Sequence, residues 1–245
     1  MIEARFLTQH REFADAVELQ KLIWGWDEIE LIPLRLFVVA SRIGGMVHGA
    51  FDGDKMVAFS LAIPAIKPGG KTYLYSHMLG VMKEYRDRGL GRVLKLEQRK
   101  EALARNIDLL EWTFDPLEVK NAYFNIERLG AVVRRFVPNL YGTTSSPLHG
   151  GLPTDRCIAE WWLAHPRAEA RLVAAETKPA PAVARISVPA DIGNIKATDQ
   201  PRAREIQKRV GDQFLEYFQK NLTVVGFERT PETGTYLLAP WDPSN

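Results

Sequence analysis

The chain has 245 residues, enough to bury a sizeable core in one elaborated domain or in a domain with a smaller appendage. Its 32 basic and 30 acidic side chains leave a net charge of +2, which offers no basic stripe for nucleic acid or another polyanion. A single cysteine, Cys157, excludes an internal disulfide and a thiol-rich zinc site; it fits a reducing cytoplasm, and the apolar run Cys157-Ile158-Ala159 reads as core.

The N-terminal MIEARFLTQHREF has no apolar signal core, and the chain has no run of about 18 apolar residues, so neither a secretory signal nor a membrane span is expected. Ala4 to Leu7 reads as a short strand, and the spacing of Phe13, Ala16, Val17, Leu19 and Ile23 predicts a helix over 11–23. After Trp24-Gly25-Trp26 a second helix is expected over 31–40, started by Pro33. Residues 46–51 and 56–63 read as a hairpin across Asp52-Gly53-Asp54-Lys55. A strand over 72–82, a polar glycine loop, a helix over 91–106, a strand over 107–114, a helix over 117–129 and a strand over 131–137 follow. This order predicts an α/β (α+β) domain: a mixed, mostly antiparallel sheet with helices on both faces.

Proline- and alanine-rich sequence over 166–183 reads as an irregular connection. Beyond it, 184–245 forms a C-terminal strand–helix–hairpin extension, with strand 184–188, a helix capped by Asp199, and a hairpin over 222–227 and 235–238. The expected division is therefore 1–165, 166–183 and 184–245. Edge strands in the extension invite pairing with the main sheet or with a second copy in a homodimer.

The chemistry concentrates in Arg86-Asp87-Arg88-Gly89-Leu90-Gly91, between the strand ending at 82 and the helix beginning at 91. A strand–glycine loop–helix unit turns free backbone N–H groups and the positive helix end toward an anion. Gly89 and Gly91 permit close backbone approach, and Arg86, Arg88 and Arg92 add positive charge. Neither the nucleotide P-loop pattern nor the third glycine of a dinucleotide fingerprint is present. A tight turn with solvated arginines accounts for the bare pattern equally well.

These residues fit the R/Q-x-x-G-x-G/A signature of the GNAT acetyltransferase superfamily, which the sequence resembles over roughly 1–165. Lys83-Glu84-Tyr85-Arg86 resembles the family's P-E-Y-R, with lysine in place of proline. Further stretches resemble a bacterial group of GNAT acetyltransferases: Ser76-His77-Met78-Leu79-Gly80-Val81, Trp112 to Leu117, Asn121-Ala122-Tyr123-Phe124-Asn125, Asn139-Leu140-Tyr141-Gly142 and Thr154-Asp155-Arg156.

The resemblance implies the GNAT fold, with strands four and five splayed, and acetyl-CoA or another acyl-CoA, such as succinyl-CoA, as co-substrate without a metal. Leu79, Gly80 and Val81 would meet the pantetheine arm, with a backbone N–H there stabilising the oxyanion. The N–H groups of Arg86, Asp87, Arg88, Gly89, Leu90 and Gly91 would hold the pyrophosphate with Arg92 nearby. Asn121 and Asn125, i and i+4 on one helix, are candidates for the arm. The reaction implied is direct transfer to an amine, with no covalent intermediate.

Strand alternation places Tyr73, Tyr75, His77, Leu79 and Val81 on one face unless a bulge intervenes, and His77 matches the position of a proton-removing histidine in arylalkylamine acetyltransferases. Glu111 is the alternative base. The thiolate-protonating tyrosine of the family falls on Ile126, so Tyr123 and Tyr141 are the remaining candidates for the acid. Trp24, Trp26, Tyr75, Phe114 and Tyr141 read as core or as the wall of an acceptor pocket, and Asp155 with Arg156 as a buried ion pair or an acceptor-binding pair. The expected function is a cytoplasmic acyl-CoA-dependent N-acyltransferase acting on a small amine or amino acid. The alternative is a GNAT-like module that binds acyl-CoA without turnover.

Overall fold

The computed structural model describes residues 2–142, 144, 150–173 and 181–243. It divides into two compact units, and the division falls inside a strand, between Glu111 and Trp112.

The first unit holds β1 (Ile2–Phe6), β2 (Met46–Asp52), β3 (Lys55–Ile66), β4 (Thr72–Val81) and the start of β5 (Leu109–Phe114), in that spatial order. The pairs are antiparallel except β4 with β5, which is parallel. One face packs on α1 (His10–Trp24) and α2 (Leu34–Arg42), where Phe13, Leu19 and Phe37 meet Phe59, Leu61 and Met78. The other carries α3 (Leu90–Ala104), whose Leu90 and Leu94 cover Ala50, Val57 and Ala58. Helix α2 starts later than the expected 31 because Pro33 is its N-cap, with an extended ψ of 151°. A proline ring also disfavours helical geometry in the residue before it.

The second unit continues β5 and adds α4 (Val119–Tyr123), β6 (Val132–Val137), β7 (Arg156–Trp162), α5 (Pro166–Val173), β8 (Ala184–Pro189), α6 (Ile192–Thr198), α7 (Gln200–Gln219), β9 (Thr223–Arg229) and β10 (Thr233–Ala239). Its strands lie in the order β5, β7, β6, β9, β10, β8. The expected extension strands thus join β6 through β9, at the Val133–Val224 pair. Phe214 of α7 stacks on Phe136 of β6, centroids 5.6 Å apart, and meets Tyr236 of β10 edge-on at 5.0 Å.

Three departures from the expected elements have local causes. The helix expected over 117–129 is α for Val119–Tyr123 and then a π turn over Phe124–Arg128. The stretch expected to be irregular forms helix α5, anchored by Arg167 Nε on the Gly130 carbonyl at 3.0 Å and by an Arg171–Glu127 ion pair. Helix α6 lies just before α7, and its Lys196, buried to 5% exposure, sits between Asp115 and Glu118 at 3.0 and 3.2 Å. Asp199 caps α7 as expected, accepting from the Arg202 N–H. The core reading of Cys157 holds: it is fully buried, and burial pushes its thiol pKa well up. Among the described residues, no helix is long and apolar enough to cross a membrane.

The start of α1 is fixed by one carboxylate. Glu12 accepts from the Thr8 and Gln9 N–H groups at 2.8 and 3.0 Å and from Arg5 at 2.7 Å. Burial alone would raise its pKa, but these donors outweigh it and bring it from 4.5 down to about 2. A depressed carboxylate stabilises the fold above its unfolded pKa and loses that contribution as pH falls. Glu12→Gln is therefore expected to cost about 1–3 kcal/mol at pH 7. It should also remove part of the stability loss between pH 4.5 and 2, measured by denaturant unfolding across that range.

Candidate functional site

The glycine loop has the backbone of an anion cradle. A short 3-10 turn, Lys83–Tyr85, leaves β4, Asp87 takes a φ of +61°, and Gly89 takes +79° as the N-cap of α3. The N-cap residue is glycine and has no side chain to cap this helix end, so among the described residues its first-turn N–H groups stand at the positive end of the helix. A Cβ on Gly89 would meet no atom within 4 Å; glycine is required there by the backbone conformation, with open space in front of it. Arg86, Asp87, Arg88 and Gly89 are exposed, Gly91 and Arg92 are half-buried, and Leu90 is in the core. The Arg88 guanidinium lies 4.8 Å from the Tyr85 ring centre, and Tyr85 donates to Asp52 at 2.9 Å.

Strand β4 carries the second feature. Its registered pairs with β5 are Leu74–Leu110 and Tyr75–Glu111, while its ladder with β3 continues to Val81. From Ser76 onward, among the described residues, β4 has no registered partner on the β5 side. A ligand amide chain fits such an edge, because backbone donors and acceptors need partners.

A bulge interrupts β4 at His77: Ser76 pairs with Ala62 and Met78 with Leu61, leaving His77 as the extra residue. The expected single face is therefore broken. Before the bulge, Ser76 faces α3, bonded to Gln98 at 2.9 Å and Lys95 at 2.9 Å. After it, Leu79 and Val81 face α3, whereas Met78 packs toward α1 and α2. His77 keeps company with Tyr75, ring centres 6.1 Å apart. It is half-buried, and burial lowers its pKa below 6.5, so the neutral imidazole that can accept a proton prevails at pH 7. Gly80 is a glycine for packing reasons: a Cβ would come within 2.8 Å of Ile23 and of the Trp24 indole. Trp24 in turn stacks on Trp26 at 4.7 Å, and both pack on the core beneath α1.

Glu111, the alternative base, is engaged elsewhere. It is buried to 2% exposure and pairs with Lys67 at 2.6 Å, whose ammonium lies 4.5 Å from the Tyr73 ring centre.

In the second unit, Asn125 and Asn121 do not share an environment. Asn121 is exposed; Asn125 is buried in the π turn, and its Oδ1 accepts from Trp112 Nε1 at 3.2 Å. Its Nδ2 is buried and makes no hydrogen bond among the described residues, a donor suited to a ligand carbonyl. Ile126, at the expected tyrosine position, is fully buried. Tyr123 is half-buried under the Arg229 guanidinium at 5.2 Å. Tyr141 is 48% exposed, yet its hydroxyl is fixed to Thr113 Oγ1 at 2.9 Å. Phe114, at 2% exposure, is core. Asp155 accepts from the Asn139 N–H at 2.9 Å, and Arg156 lies 5.4 Å from the Tyr141 ring centre.

Sequence reasoning missed the Lys95–Ser76–Gln98 chain and the partners of Tyr141. A signal for the first was present: Lys95 and Gln98 interrupt the apolar stripe of α3 beside Leu90, Leu94 and Ala102, all five buried.

No known protein family matches the chain in sequence, and no curated protein does. Its fold is that of GNAT acetyltransferases. The ribosomal-protein-S18-alanine N-acetyltransferase from Escherichia coli superposes with a TM-score of 0.52 at 17% identity, covering 65% of this chain and 92% of its own. Aminoglycoside 6'-acetyltransferase type Ii gives 0.52 at 20% identity, covering 66% and 97%. NAA60 from Arabidopsis thaliana, solved with acetyl-CoA, gives 0.53 at 14% identity, covering 66% and 99%.

Because burial disfavours charged His77, its contribution to stability is present above pH 6.5 and is lost as pH falls through its lowered pKa. Its imidazole signals in an NMR titration are expected to have a midpoint below 6.5; a midpoint at or above that value would contradict the burial seen here.

Proposed function

We propose that this chain is an acyl-CoA-dependent N-acyltransferase, in its simplest form an acetyltransferase, acting on the primary amine of a small molecule or amino acid. The observation that carries the reading is the N-terminus of α3 behind Gly89, whose N-cap has no side chain, at the end of a strand with no registered β5 partner from Ser76 onward among the described residues. An anion cradle and an amide-binding edge on consecutive segments suit a ligand with a diphosphate at one end and an amide-bearing arm. The likeness in fold supports it, since two of the superposed proteins are named as acetyltransferases and a third holds acetyl-CoA. Those neighbours cover about two thirds of this chain, which suits a catalytic part up to about 165 with an extension over 184–245. One named acceptor is a ribosomal protein's alanine and another an aminoglycoside, so the fold alone does not choose the amine.

In this reading the N–H groups from Asp87 to Gly91 hold the pyrophosphate, with Arg92 adding charge, while the Arg86 N–H donates to the Lys83 carbonyl at 3.3 Å and leaves that residue its side chain. The main chain of Leu79, Gly80 and Val81 aligns the arm and offers a donor to the thioester oxygen. Asn125 Nδ2, a buried donor within the second unit, suits a carbonyl of the arm, as the resemblance implies, and Asn121 is exposed. His77 accepts the ammonium proton, directly or through one water, which gives the neutral amine that attacks the thioester carbon. The nitrogen–carbon bond forms as the carbon–sulfur bond breaks, the electron pair leaving on sulfur.

The direct test is thiol release from acetyl-CoA against a panel of amines; tight coenzyme binding without turnover on any of them would favour a sensing module instead. Gly89→Asp puts a carboxylate into the cradle and is expected to weaken acetyl-CoA binding by at least about 100-fold in calorimetry, whereas unchanged affinity would remove the loop from the site. His77→Ala is expected to lower kcat by roughly 100-fold near neutral pH, with a smaller deficit at alkaline pH where the amine deprotonates unaided. A pH–rate profile parallel to the parent's would exclude His77 as the base.

A further inference from the structure

The side of the sheet on which His77 stands depends on where β4 places its bulge, and apolar packing does not decide that place. Residues 72–76 pair with β3 in one register and 78–81 in the next, with His77 as the extra residue between them. If Tyr75 were the extra residue instead, Ser76 would stand opposite Ile63 and His77 opposite Ala62. Leu74 and Met78 would keep their present partners, Pro64 and Leu61. Leu61 packs toward α1 and α2, so Ala62 beside it belongs to the α3 side of the sheet. His77 would then turn under α3 and Ser76 away from it. The buried apolar residues Leu74 and Met78 sit alike in both arrangements, so the hydrophobic pattern leaves the choice open.

Polar bonds to Ser76 make the choice. Its hydroxyl, on a residue at 4% exposure, accepts from Lys95 and donates to Gln98, both at 2.9 Å. Both partners belong to α3 and are buried, at 3% and 0% exposure. The Gln98 Nε2 makes no hydrogen bond among the described residues, so the Ser76 hydroxyl is the partner its side chain has. Moving the bulge to Tyr75 would strip that partner from a fully buried amide, which costs more than an ordinary hydrogen bond contributes. Helix α3 is itself tied at its far end, where Arg105 Nη1 donates to the Gly44 carbonyl at 2.8 Å. Buried polar groups are best attested as devices that set register rather than as sources of stability.

We propose that Lys95 and Gln98 are positioning residues for His77: through Ser76 they hold the bulge of β4 at His77 and keep its imidazole on the Tyr75 side of the sheet. Every residue involved lies in the first unit. The effect on rate rests on the acyl-transfer reading; the placement of His77 is a property of the free chain.

NMR of the full chain tests the placement, and kinetics its consequence. Lys95→Met removes the ammonium while filling its space, so the melting temperature is expected to stay or rise. The His77 ring signals should nevertheless split or broaden and lose part of their nuclear Overhauser contact with the Tyr75 ring. Ser76→Ala, which leaves both α3 side chains in place, should do the same and repeats the test should Lys95→Met not fold. Ser76→Thr keeps the hydroxyl on a good strand former and should preserve the parental pattern. The double variant Lys95→Met with Ser76→Ala should be no worse than either single one, since both remove one device. In turnover, kcat is expected to fall at least about tenfold in Ser76→Ala and Lys95→Met, with acetyl-CoA affinity within about twofold of the parent. Parental His77 signals in both single variants overturn the proposal, as do additive losses in the double variant. A loss of coenzyme affinity equal to the loss in kcat also overturns it, because α3 as a whole has then moved. Absence of thiol release by the parent chain with every amine removes acyl transfer, and the NMR result then decides the placement by itself.

Discussion

The backbone groups of β4 cannot all be satisfied by the sheet, and most of the candidate chemistry follows from that. Its inner edge pairs with β3 as far as Val81, but among the described residues its outer ladder registers pairs only at Leu74 and Tyr75. Beyond Tyr75 the outer N–H and C=O groups require water or a ligand. A strand ending this way would ordinarily fray. Here its inner edge is fixed by β3 and its end by the turn into α3, so the unpaired groups stay in line. The same geometry explains Gly80, where Trp24 packs directly against the strand and leaves no room for a side chain.

The parts legible in the sequence were those with strong local signals. Periodicity located α1, α3 and α7, and turn chemistry located the β2–β3 hairpin. The glycine loop was legible because its turn needs particular backbone angles, and few residues adopt them: the positive φ at Gly89 is written into the sequence as glycine. Long-range pairing was not legible. Whether His77 shares a face with Leu79 depends on a bulge set by the register with β3, which no residue of β4 announces by itself. Glu111, the alternative candidate base, carries an ion pair to Lys67, 44 residues away, at 2.6 Å, a partner that sequence spacing does not show. The π turn escaped for the same reason, since Asn125 is drawn inward by Trp112 rather than by the helical period.

Short elements with buried faces on both sides were the other blind spot. Strand β7 carries Cys157, Ala159, Glu160 and Trp161 all buried, so it shows no polar alternation to mark it. Glu160 is tolerated there because Arg134 and Arg135 both reach it, and they can do so because a register shift between Val133 and Arg135 brings neighbouring arginines toward one carboxylate. A buried carboxylate in a strand is thus a statement about residues on the next strand, which sequence spacing does not carry.

The buried ammonium of Lys95 shows how far the first unit goes to fix β4. Placing a lysine under a helix at 3% exposure is costly, and desolvation lowers its pKa well below the ordinary range. An apolar side chain of similar length would fill the space on α3 more cheaply. It would not, however, bond Ser76, which Lys95 does at 2.9 Å, while Ser76 donates onward to Gln98. Ser76 is the residue just before the bulge and the first with no registered β5 partner. The polar chain therefore ties α3, whose N-terminus is the candidate anion cradle, to the point where β4 changes face. Cradle, unpaired edge and His77 are held in one frame by side chains that take no part in the chemistry, and that is a reason for polar residues to persist in an otherwise apolar stripe.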